Sequence, residues 1–485
     1  VPVHRLPDQP SLERLRKQAK VLLHHVRAGM PNALALVTEF HPQPPTALKL
    51  SDAQLVTARM YGFASWPRLK QYVDIVERFS RSPHQVPPGE DLSREFLRLA
   101  CLTYGDDYPG RTGEADQLLA RHPEVATADV FTMAATGSAE PLAAALAAGP
   151  GLARSQGGPF GWEPLLYLTY ARLAAPGDSV ASARLLLRHG ADPNAGFLWD
   201  GIPSPFTALT GAFGGGEGHQ PRHPRGMELA RLLLGAGADP NDGQTLYNLG
   251  LGGAFADDEA GTAHLELLLE YGLGQGDGGP WRTRLGPALQ SPRRLLREEL
   301  ATAALRGGPR RARLLLAHGA EPDECGEHPV YGGRTPYELA LLHGHTEVAE
   351  ILAAAGATAT LDGMDAFAAA CMSADHEAVA ALGPEALARA LAGHPELINR
   401  AAEHRNPAAV RLLAGLGFDV NHRGRATPLH EAAWNDDVET ARVLIELGAD
   451  LTIEDTEHHA TPLGWAEYGG KRQVESYLRP LTPRT

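Results

Sequence analysis

From Thr427 to Thr452 the chain reads TPLHEAAWNDDVETARVLIELGADLT. This stretch opens on a helix start and closes on a helix stop. Thr427 offers a side-chain oxygen to free backbone N–H groups, and Pro428 takes the first helical position, where a missing N–H costs nothing. At the far end the pair Val443 and Leu444 packs one face, and Gly448 can take the left-handed conformation that ends a helix. Ala449 and Asp450 then turn the chain away.

Both signals recur. Stops are ARLLLRHGADPN at Ala183–Asn194, ARLLLGAGADPN at Ala230–Asn241, LELLLEYGLG at Leu265–Gly274 and ARLLLAHGAEPD at Ala312–Asp323. Weaker ones are EVAEILAAAGAT at Glu347–Thr358 and VRLLAGLGFDVN at Val410–Asn421. Further starts are TPYELA from Thr335 and TPLGWA from Thr461. The stop glycines are Gly190, Gly237, Gly272, Gly319, Gly356, Gly417 and Gly448. The last interval is 31 residues, whereas 61 separate Gly356 from Gly417, so a degenerate repeat is expected over 365–391. Starts and stops in one register predict stacked helix pairs, each burying its apolar face on the next.

The pattern resembles the ankyrin repeat, whose start is T-P-L-H-x-A and whose period is about 33 residues. The resemblance implies an all-α fold, an ankyrin-repeat α-solenoid with short β-turn fingers. It covers residues 92–480 as about nine or ten repeats, is strong in the C-terminal third and patchier over 95–173. It also implies inner helices facing a concave groove, a protein or peptide partner in that groove, and a structural role for His430 in tying adjacent repeats.

Two intervals, Gly190 to Gly237 and Gly272 to Gly319, are 47 residues long. Insertions are therefore expected near 196–225 and 274–292, and in repeat arrays insertions gather on one face, often the binding face. Residues 1–81 differ again. Leu12, Leu15, Ala19, Leu22, Leu23 and Val26 keep a helical period after Ser11, and Ser51–Tyr61 and Trp66–Phe79 read as two more helices. YGFASW at Tyr61–Trp66 resembles the helical leader of some bacterial ankyrin arrays. A small helical N-terminal domain, 1–81, is expected to cap the solenoid, with a proline-containing linker at 82–91.

The composition is that of a globular chain, with 43% apolar and 21% charged residues. The formal net charge is -14. Phosphate-bearing partners need a basic surface, so nucleic acid and an anionic membrane are not expected. Residues 1–81 carry 12 Lys/Arg and 6 Asp/Glu, a balance of +6, which leaves -20 for the rest. An acidic groove would attract a basic protein segment; alternatively the basic N-terminal faces dock on the acidic array. Cys101, Cys325 and Cys371 are odd in number and far apart, which suits a reducing cytoplasm. No apolar h-region is visible in Val1–Gln9, and no apolar run reaches the ~18 residues that span a bilayer. Five Lys against 39 Arg point to a GC-rich bacterial genome.

No motif for catalysis, cofactor or metal stands out. Gly214-Gly215-Gly216 lacks the Lys-Ser/Thr of a phosphate loop. His343 with His345 and His458 with His459 lack i, i+4 spacing, and Pro221 interrupts His219 and His223. The candidate site rests instead on aromatics. By the resemblance, Trp162, Tyr167 and Tyr170 of one repeat, Phe206 of the next and Tyr247 with Asn248 of a third lie near the groove. Trp199 and Trp281 belong to fingers or insertions, and His430, Trp434 and Trp465 hold similar places further along. Glu163, Asp200 and Arg282 accompany them, as do Asp257 and Asp258. Trp and Tyr combine apolar area with a polar handle, which suits binding. Each ring has a competing place in the core between helix layers, Asp200 a competing place in a turn, and Asp257-Asp258 one at a helix N-terminus.

Two functions follow. One is a cytoplasmic binding protein that holds a protein or peptide on its concave face. The other is a small-molecule or catalytic pocket in the central repeats, covered by the two insertions.

Overall fold

A computed structural model describes residues 6, 10–105, 107–108, 110–218, 220–250 and 257–482. The described residues are mainly helical, with a single three-stranded sheet. They form two compact units, Val1–Ala256 with Ala263–Leu295, and Asp257–Thr262 with Leu296–Thr485.

In the second unit the expected stack is regular. Inner helices Pro336–Leu342, Pro428–Trp434 and Pro462–Tyr468 alternate with outer helices Thr346–Ala354, Val438–Glu446 and Arg472–Leu478. Thr335 and Thr461 cap their helices, accepting from Glu338 N and Gly464 N at 3.2 Å each. The interval between Gly356 and Gly417 holds inner helices Gly363–Met372 and Leu397–Glu403. Between those two, His376–Gly393 is helical but broken at Gly383, whose φ of 80° no helix allows. Leucine and alanine side chains close the core between layers, among them Leu413, Leu429, Leu444 and Ala466. His430 ties two repeats: its Nδ1 faces Thr427 Oγ1 at 2.8 Å and its Nε2 reaches Ala460 O at 2.9 Å.

The turn after each inner helix is left-handed at one residue. Gly344 and Gly470 take it readily, whereas Ala374, Arg405 and Asp436 take it at φ of 53°, 53° and 54°. Side chains are strained there. Asp436 has a return, since its Oδ1 accepts from Val474 N at 2.8 Å.

The first unit begins with four helices, α1 (Leu12–Arg27), α2 (Pro31–Phe40), α3 (Leu50–Met60) and α4 (Trp66–Phe79). The sequence pattern points to three. Pro31 starts the extra one, α2, directly after the turn at Gly29. Then Ser80–Arg81, β1, pairs in parallel with Gly196–Trp199, β2, which pairs antiparallel with Pro205–Thr207, β3. β2 and β3 are the finger of the first expected insertion. The chain just before the expected linker is thus a strand laid on that finger.

Among the described residues the contact is mainly apolar. Tyr72 and Val76 of α4 pack with Leu198, Trp281 and Leu285. Phe79 meets Trp281 edge-on at 5.0 Å. The second expected insertion supplies Trp281 from a short helix, Gly279–Leu285.

Candidate functional site

The central aromatics converge, but inward. The Trp162 ring stacks on Phe197 at 4.8 Å and lies 5.0 Å from Tyr170 and 5.3 Å from Tyr167. Phe206 stacks on Phe197 at 5.6 Å. Trp162, Tyr167, Tyr170 and Phe206 are all buried. Their hydroxyls serve the backbone: Tyr167 donates to Gly157 O at 2.8 Å and Tyr170 to Thr207 O at 3.0 Å. These four rings fill the space between helix layers and offer no surface to a partner, contrary to the expectation from the resemblance. A ring at the start of an inner helix turns inward when the neighbouring finger brings Phe197 and Phe206 against it.

Trp199, Asp200 and Trp281 are engaged by the chain's own N-terminal segment. Trp199 donates to Thr103 O at 2.9 Å and stacks on His84 at 4.6 Å. The Asp200 carboxylate accepts from Ser82 Oγ, and His84 Nε2 lies 3.4 Å from it. Asp200 itself is left-handed at φ 49°, the turn conformation that aspartate tolerates. Trp281 is buried and donates to Asn194 O at 3.0 Å. Arg282, half-buried, donates to Leu289 O at 2.7 Å. None of these groups was placed by local sequence signals, because their partners lie far away in the chain.

Asn248 is buried, and its Oδ1 accepts from Gln244 Nε2 at 2.8 Å. Glu163 is half-buried; burial, and next the charge of Asp192, push its carboxyl up to about 7. Tyr247 is the exposed one among the central rings, at 51%, with its hydroxyl donating to Glu217 at 2.9 Å. Asp257 caps a helix start, accepting from Arg310 N and Arg311 N, and Asp258 accepts from Gly261 N. His219 lies outside the described residues. His223 is buried, its Nδ1 accepting from Arg225 N, and burial pushes it down to about 3.

The second unit carries a different cluster. Trp434 and Tyr468 each stand seven positions after the capping threonine, at the ends of adjacent inner helices. Both are exposed, at 44% and 90%. Glu403 holds the corresponding helix end one repeat earlier and is exposed too. Asn435 Nδ2 donates to Glu403 O at 2.7 Å, which fixes the first two helix ends side by side. Behind this row Trp465 is buried, donating to Asp455 at 2.9 Å and meeting Trp434 edge-on at 5.9 Å.

Cations already gather here. Lys471 Nζ lies 5.0 Å over the Trp434 ring, and the Arg425 guanidinium lies 5.1 Å over Trp465. Glu431 is half-buried; burial, then the charge of Glu403, push its carboxyl up to about 7. Its nearest cation, Arg425 at 4.0 Å, is shared with Glu457 at 3.6 Å. The face therefore holds exposed rings beside carboxylates that are incompletely neutralised. The signal for it was the equivalence of position 434 with 468, visible once the two threonine caps are aligned.

The family model described as Ankyrin repeats (3 copies) matches residues 392–455. This stretch contains Glu403, Glu431 and Trp434. The chain carries ankyrin repeats. No curated protein matches it. Ankyrin repeats in general serve protein–protein interaction. Among the described residues, no helix of the ankyrin-repeat chain is long and apolar enough to cross a membrane.

Proposed function

We propose that the chain is a binding protein that holds a segment of another protein, basic in character, across the inner helix ends at Glu403, Trp434 and Tyr468. The observation that carries this is the exposure of Tyr468 and Trp434 in register on adjacent repeats. Exposed aromatics with a polar surround are typical anchors of protein interfaces. The carboxylates of Glu403 and Glu431 favour a basic segment, because a partner cation would relieve their mutual repulsion. The net charge of -14 supports the same sign. We place the protein in the cytoplasm, since its three cysteines are all free. We take 1–81 as its N-terminal domain, 82–91 as the junction and 92–480 as the array.

The alternative, a small-molecule or catalytic pocket in the central repeats, has weaker support. The rings meant to line it pack on one another, and Trp199, Asp200 and Trp281 hold the N-terminal segment.

The test is a partner captured by the full chain, identified by mass spectrometry, purified and titrated calorimetrically. Replacing Trp434 and Tyr468 by Ala should weaken it by about tenfold or more, as for interface anchors worth over ~1 kcal/mol each. Gln473→Ala on an outer helix should leave affinity unchanged. Equal affinity of the inner-face double variant and the wild type would overturn the proposal. Glu403→Gln with Glu431→Gln tests the basic character separately.

A further inference from the structure

α1 carries a second, oppositely charged surface. Its Leu15, Ala19 and Leu22 face inward, where Leu22 packs with Val56 and Met60, and Leu15 with Leu69 and Val73. The opposite face exposes Arg14, Arg16, Lys17, Lys20 and Arg27, against one carboxylate, Glu13. Among the described residues, none of these five cations is within ion-pair distance of a carboxylate. Several exposed arginines elsewhere do find partners: Arg231 with Glu270, Arg313 with Glu347 and Arg411 with Glu446. The N-terminal helices meet the rest of their unit through α4 and β1, so the cations of α1 are not consumed in that contact.

Aliphatic groups stand beside the charges. Val21 lies between Lys17, Lys20 and His24 on α1 and is 43% exposed. Met30 and Leu34, at the start of α2, are 45% and 44% exposed. α1 is 16 residues long, about 24 Å of face.

We propose that the outer face of α1 docks a short acidic protein segment whose carboxylates alternate with aliphatic side chains. Charge complementarity selects an anionic partner, and Val21, Met30 and Leu34 give it apolar area to bury. A compact segment suits this chain better than an extended anionic polymer or bilayer. The remaining residues carry -20 and repel a large anionic object, while a short segment senses mainly charges within the Debye length of about 8 Å. Phosphates, moreover, gain nothing from exposed valine, methionine and leucine.

This surface is independent of the inner-helix face, which repels acidic ligands. The probe is a fluorescein-labelled peptide repeating Glu-Glu-Leu, titrated into the full chain at low and physiological salt. The wild type should bind it in a salt-dependent manner. Lys17→Glu with Lys20→Glu should weaken binding by tenfold or more, and Val21→Ser by severalfold. Arg472→Glu, at the other end of the chain, should change nothing. Circular dichroism checks that the exposed substitutions leave the fold intact. Unaltered binding by the double charge reversal would overturn the proposal, as would no binding at low salt. Tighter binding of a single-stranded oligonucleotide or of phosphatidylserine vesicles than of the peptide would also overturn it.

Discussion

His343 Nδ1 lies 2.6 Å from His404 Nε2, so one imidazole donates to the other. His345 packs edge-on against His404 at 5.1 Å and its Nε2 meets Leu305 O at 3.1 Å. Beside them Asn406 Nδ2 donates to Met372 O at 2.6 Å. The turns that follow four successive inner helices are thereby stitched together.

This stitching is acid-sensitive. Burial pushes His343 down to about 4, with the charge of Arg400 second, and pushes His345 and His404 down as well. Unfolded histidines take up protons near pH 6.5, so between there and about 4 the unfolded state binds more protons and stability falls. The loss is bounded by about 1.4 kcal/mol per pH unit for each histidine. Chemical denaturation of the full chain at pH 7 and pH 5 should show a lower midpoint in acid. His343→Asn with His404→Asn should flatten that dependence. An equal slope in the double variant would assign the acid response elsewhere.

Ala374 sits left-handed at φ 53° with no compensating side-chain bond. Ala374→Gly should therefore stabilise the protein by about 0.5–1 kcal/mol. The neighbouring repeat predicts the reverse. Gly344→Ala places a Cβ 2.6 Å from Met372 O at φ 75°, and should destabilise by more than about 1 kcal/mol. Urea midpoints decide both signs.

Trp162 should behave as a core residue. Trp162→Ala should cost about 3–5 kcal/mol, in the range of large-to-small core substitutions. Tyr170→Phe should cost about 1 kcal/mol, because Thr207 O loses its donor. Tyr247→Phe, at an exposed ring, should leave the unfolding free energy within about 0.5 kcal/mol of wild type, read by chemical denaturation.

Phe79 and Trp281 clamp the N-terminal helices to their unit. Phe79→Ala should speed proteolytic cleavage in the segment 80–91 severalfold, with cleavage in the C-terminal repeats unchanged. Partial digestion followed by mass spectrometry reads both.

The fold was legible because its signals are local. A threonine cap, a proline after it, a run of leucines and a left-handed glycine act within about four residues of one another, and each repeats the same instruction. Register followed from their spacing alone, even where the repeat over 365–391 lacked a clean stop. The destination of the large side chains was not local. Trp162 and Trp434 both lie beside or within inner helices, yet a finger with Phe197 and Phe206 covers one, while the other is left 44% exposed. Trp281 found its partner at Phe79, far back in the chain. Composition and period determined that helix pairs would stack. Only the tertiary structure decided which rings were spent in the stack and which remained for a partner, because burial depends on what the adjoining repeats bring against each face.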